Sequence, residues 1–217
     1  ATGDFYYRAR HPEIAQIVFE QALRNKLDRF NSILRVVRNL NLAYSSDSES
    51  FRQLMKARSL ADLFPSREDV VALYDAAAAT ASNEAFLWQQ RALYEKGRED
   101  GNLGRAAEWL AKARTLDPRD GSITHSFAEL ARERALRAES PLERERLRRE
   151  AQATLQPLLS HPHHSRFARH TLAKLGLDVI QDLLRGEGAP GIGLEQAMKS
   201  FEAVLSKGLQ EIPDDSY

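Results

Sequence analysis

Cysteine is absent from the 217 residues. That excludes disulfide staples, Cys-ligated zinc, Fe–S clusters and a thiol nucleophile, and it fits a reducing cytoplasm, where we expect the protein to act. Excess charge of either sign is absent too. Lys plus Arg and Asp plus Glu both number 31, so there is no bulk attraction to nucleic acid or to an anionic membrane. No apolar run approaches the roughly 20 residues of a membrane span. The opening ATGDFYYRARH has neither the apolar centre of a signal peptide nor an initiator Met. We therefore expect no membrane partner, and we expect a piece excised from a longer protein, with Ala1–Gly3 a remnant of the excision. Also missing are a G-x-x-x-x-G-K-[ST] loop, an H-E-x-x-H pair and an ordered Ser/His/Asp set. No catalytic residue, cofactor or metal is expected in this chain.

What is present is helical period almost everywhere. Hydrophobic residues make up 42% of the chain, enough for a core, and no convincing alternation of β-branched residues competes. Pro12 suits a first helical turn, followed by Ile14, Ile17, Val18 and Leu23. Leu27, Phe30, Leu34, Val37 and Leu40 trace one face of a second helix, which SSDS at 45–48 should break. Phe51, Leu54, Met55 and Leu63 predict a third helix, stopped by Pro65. Ser66 with Asp69 opens a fourth, with Val70, Leu73, Tyr74 and Ala77 facing inward. Asn83 should cap a fifth that runs to Gly97. A sixth spans Leu103–Leu116 and a seventh follows Asp120 to Arg137. SPLE at 140–143 opens an eighth. Two more, near Arg166–Leu184 and Leu194–Gln210, follow the HPHHS loop at 161–165. The expectation is an all-α fold of about ten helices in antiparallel pairs.

Within Gly97–Ser122, Ala106 and Leu110 lie four apart, Ala113 follows three later and Pro118 five after that. Small Ala106 and Ala113 let two helices approach closely, Leu110 fills the space between units, Gly101-Asn102 makes the turn and Asp117-Pro118 ends the helix. This resembles the second helix and exit turn of a tetratricopeptide repeat. The first helix of that unit departs from the pattern. Leu93 matches, but Gln90 replaces Trp, Tyr94 the small residue and Gly97 the Tyr, unless Trp88 takes the aromatic role in a shifted register. Phe127, Ala128 and Ala131 restart the pattern, with Ala151, Leu155 and Leu158 as the partner ladder. Ala168, Leu172 and Leu175, then Ala197, Phe201 and Val204, supply a third unit. The resemblance covers about residues 84–210 and implies antiparallel helix pairs stacked as a right-handed solenoid. An irregular helical bundle is the alternative.

YYRARHPEIAQIVFEQAL at 6–23, through Tyr7, Arg8, Arg10, His11, Ile14 and Ala15, resembles the end of the ATPase/winged-helix region of bacterial STAND-class NTPases and related defence proteins. It implies that residues 1–82 are a helical segment joining a missing upstream domain. Residues 83–217 would then form a repeat domain acting as a non-catalytic sensor or scaffold in signalling or antiviral defence.

Three further motifs invite chemistry and are read otherwise. GEGAPG at 186–191 has dinucleotide-loop spacing but follows a helix where a strand is needed, so it reads as a linker. His161, His163, His164 and His170 form the only histidine cluster, without a neighbouring carboxylate, and read as a polar loop. The run RERALRAESPLERERLRRE at 132–150 reads as a solvated helix pair. Its arginines Arg144, Arg146, Arg148 and Arg149 define the alternative function, nucleic-acid binding, against which the interleaved Glu143, Glu145 and Glu150 count.

In tetratricopeptide-like stacks the first helices line a concave face. The resemblance places Trp88, Arg91, Glu95 and Arg98 there, with His125, Glu129 and Arg132 from the next unit. The expected partner is a protein or peptide, with self-association through apolar end surfaces as a further option.

Overall fold

The computed structural model describes residue 21 and residues 23–210. The expected first helix, apart from Leu23, and the STAND-like residues lie outside the described residues. Among the described residues there are ten α-helices, one 3-10 turn and no strand. The chain divides into two compact units, the first ending at Ser82 and the second beginning at Asn83.

The first unit holds α1 (Lys26–Asn39), α2 (Ser45–Leu54), α3 (Ala57–Leu63) and α4 (Arg67–Thr80). Asn25 caps α1 by accepting from the Leu27 N–H, and Ser66 caps α4 through the Asp69 N–H. α1 packs on α4. Two expectations need correction here. Leu27 is 63% exposed, and α1 buries Ile33 beside the expected Val37. A first-turn Leu beside the cap lies beyond the reach of the core. SSDS does not break the chain. It starts α2, with Asp47 in the first turn, where a negative charge suits the helix N-terminus, and Asp47 accepts from the Asn41 N–H at 2.9 Å. The expected third helix is thus two, α2 and α3. The interruption at Met55 frees a carbonyl that the buried Tyr74 hydroxyl takes up at 3.2 Å.

The second unit contains α5 (Ala85–Lys96), α6 (Leu103–Leu116), α7 (Gly121–Arg137), α8 (Pro141–Leu155) with a 3-10 turn over Gln156–Ser160, α9 (Ser165–Leu184) and α10 (Leu194–Gln210). Consecutive helices pair as α5 with α6, α7 with α8 and α9 with α10, and the first helices also touch, α5 on α7 and α7 on α9. Asn102, Asp120 and Ser140 cap α6, α7 and α8. Asn83 does not cap α5; Glu84 occupies that position without a side-chain bond.

Small residues let the helices close. Ala92, Ala106, Leu110 and Leu130 form one cluster between α5, α6 and α7. Ala128, Ala131, Ala151, Leu155, Leu158, Ala168 and Leu175 form the next. Gly101 is required at its turn, since a Cβ there would overlap the Glu95 carbonyl. At Gly121 a Cβ would meet the His164 ring packed over the start of α7, and that side chain would have to move. The Glu95 carboxylate accepts the Asn102 N–H at 3.0 Å, and Arg137 donates to the carbonyls of Arg98, Glu99 and Gly101. The α5–α6 turn is therefore held from both sides.

Candidate functional site

The best-formed concavity in the second unit lies where α5, α7 and α9 meet, a cavity of about 450 Å³. α5 contributes Gln89, Leu93 and Lys96, and α7 contributes Ser122, His125, Ser126 and Glu129. α9 and the turn before it contribute the rest of the wall. These positions recur at three- and four-residue steps, so each helix presents one face.

Its polar groups are chained. Thr171 on α9 donates its only hydroxyl hydrogen to Glu129 Oε1 at 2.7 Å. The Thr171 hydroxyl oxygen must then accept from His125 Nε2 at 2.9 Å, which fixes the hydrogen of the neutral imidazole on Nε2. Burial pushes the His125 imidazole below its ordinary value, against the pull of Glu129. Lys96 donates to Glu129 Oε2 at 3.2 Å and Lys174 stands 3.8 Å from Oε1. Burial alone would raise the Glu129 carboxyl, but the Thr171 hydroxyl and the two ammoniums outweigh it and bring it down to about 2. Behind this chain the buried Gln89 donates to Ser126 at 3.0 Å, tying α5 to α7.

A second concavity of about 600 Å³ shares Lys96 and Glu129 with the first and continues past Arg98, Arg132, Glu133 and Arg137. Together the two run along one face of α7 from His125 to Arg137.

The structure distributes the seven expected residues as follows. His125 and Glu129 line the first cavity, Arg98 and Arg132 the second. Arg132 is not a free anchor: it makes a two-pronged pair with Asp178 of α9 at 2.7 and 2.9 Å. Arg98 pairs with Asp100 in its own turn. Trp88 and Glu95 are corrections, at 7% and 2% exposed. Trp88 carries the Lys112 ammonium over its ring at 3.5 Å, Glu95 holds the α5–α6 turn, and Arg91 stacks over Trp109 at 4.4 Å. On α5 the lining face is rotated by one residue, about 100°, because the large indole of Trp88 turns inward. The burial of Trp88 is the signal that selects Gln89, Leu93 and Lys96. Thr171 and Lys174 escaped the sequence reading because their role depends on how α9 docks.

The remaining motifs are placed as follows. His161 stacks on His164 at 4.6 Å between centroids and lies 6.0 Å from His163. Among the described residues no set of three His, Asp or Glu side chains is placed to hold a metal. GEGAPG links two helices, with Gly186 and Gly191 at φ 75° and 86°. In the arginine-rich run, Arg144 and Arg148 both reach Asp182 of α9, at 3.0 and 2.7 Å. Arg146 pairs with Glu143 and Glu150, and Arg149 with Glu145. Among the described residues no helix is long and apolar enough to cross a membrane.

No protein family, curated protein or solved structure matches the chain.

Proposed function

We propose that the second unit is a non-catalytic protein-recognition module, its three helix pairs stacked as a tetratricopeptide-like right-handed solenoid. In this reading the groove along α5, α7 and α9 receives a peptide or a helix of a partner. The chain serves as sensor or scaffold of a larger bacterial signalling or antiviral-defence protein, whose effector lies upstream. The observation that carries the reading is the pair of concavities joined at Lys96 and Glu129. They form a continuous groove of mixed polar and apolar lining whose rim includes Phe167, 57% exposed. Grooves of this kind recognise extended segments through charge and a few apolar contacts.

Nucleic-acid binding is disfavoured by the pairing of Arg144, Arg146, Arg148 and Arg149 with carboxylates, since phosphate contacts need uncompensated charge. The test is capture from native lysate with the chain, beside His170→Glu/Lys174→Glu and a nuclease-treated sample. A protein retained after nuclease and lost in the variant supports the groove. Retention that vanishes with nuclease transfers the function to nucleic acid.

A further inference from the structure

The first cavity has a donor set of a particular kind. Its cations are Lys96 on α5 and Lys174 on α9. Of its imidazoles, His125 on α7 spends its hydrogen on Thr171, which leaves His170 on α9 and His163 and His164 on the turn before α9. Glu129 is the one carboxylate in the wall, and it is shared by Thr171 and both ammoniums. Two ammoniums against one carboxylate leave a positive charge over. The neighbouring Arg132–Asp178 pair is matched and adds none.

No arginine lines the cavity. A guanidinium fork suits carboxylate and phosphate alike, whereas an ammonium binds phosphate as a point charge that demands no plane. Ammonium and imidazole N–H groups arriving from several elements suit a tetrahedral anion that accepts on several oxygens at once. Leu93 and the exposed Phe167 ring add apolar wall beside these donors. We infer that the cavity receives a phosphorylated side chain of a protein partner. Its phosphoryl oxygens meet Lys174 and His170, and the group that carries them lies against Phe167. The inference rests on reading the groove as a protein-recognition surface.

The experiment is calorimetric titration of the chain with N-acetyl-O-phosphotyrosine amide, N-acetyltyrosine amide and inorganic phosphate. The phosphorylated probe should bind, the unphosphorylated one should give no heat, and inorganic phosphate should bind more weakly than the probe. Lys174→Gln and His170→Gln should each weaken the probe about tenfold, the loss expected for one charge-assisted contact. Both side chains reach solvent, so the far-UV circular dichroism of the variants should match the parent and exclude misfolding. Equal affinity for the two tyrosine probes, or unchanged affinity in both variants, overturns the inference. Inorganic phosphate binding as tightly as the probe overturns the side-chain source. A partner captured through the groove, with no heat from the phosphorylated probe, overturns this inference alone and leaves protein recognition standing.

Discussion

Glu129 is the residue on which the groove's charge balance turns. Its carboxyl is held at about 2 against an ordinary 4.5, a shift worth about 3 kcal/mol. The native state therefore binds its proton less readily than the unfolded chain. The stabilisation is complete above the unfolded value and is lost as pH falls from about 5 toward 2. Urea titrations at pH 7, 4 and 3 should show this slope in the parent and a flatter one in Glu129→Gln, which should already be weaker at pH 7. Equal slopes would mean that the Lys96 and Lys174 pairs do not form in solution. Gly101 makes a second single-residue test. Its Cβ would overlap a backbone carbonyl that cannot yield like a side chain, so Gly101→Ala should cost more than about 1 kcal/mol. An unchanged urea midpoint would contradict the turn geometry.

Between helices, two mechanisms act and they separate by substitution. The α5–α6 contact depends on small side chains, and Ala106 has no exposed surface. Ala106→Trp should therefore cost about 1–3 kcal/mol or more by overpacking; unchanged thermal stability would place Ala106 outside the contact. The α8–α9 contact adds to its apolar cluster the convergence of Arg144 and Arg148 on Asp182. Asp182→Ala takes the carboxylate from buried Arg148 and from Arg144, which keeps Glu187 at 3.6 Å, and should cost about 3–5 kcal/mol. Arg146→Ala removes only exposed pairs and should cost less than about 1 kcal/mol. Comparable losses from the two would show that Asp182 is solvated. The sequence reading fared according to the same division. The starts of α6, α7 and α8 were readable because Asn102, Asp120 and Ser140 signal them locally, and the alanine contacts because spacing encodes them. The role of Asp178 and Asp182 was not readable, since two acids on a helix look solvated until the helix facing them is known. The break between α2 and α3 was hidden for the same reason, because its compensating donor, Tyr74, lies 19 residues away.

The two hydrophobic clusters described above for the second unit draw only on residues after Asn83. Among the described residues, the caps of α6, α7 and α8 and the groove are likewise made from its own helices. A fragment spanning residues 83–217 should therefore fold without the first unit and keep the groove network. Helical circular dichroism with one cooperative urea transition is the expected result, and its slope m should be lower than for the full chain in proportion to the surface it exposes. Glu129→Gln should lower the midpoint of the fragment as it does that of the full chain. A broad, non-cooperative transition would mean that the second unit's core is incomplete alone. The distinction matters for function. A unit that folds by itself can bind a partner as an independent module, so affinity for that partner should survive excision. A unit that needs its neighbour would couple binding to the rest of the protein through its own stability. Comparing partner affinity of the fragment and the full chain decides between them, with equal values supporting the independent module.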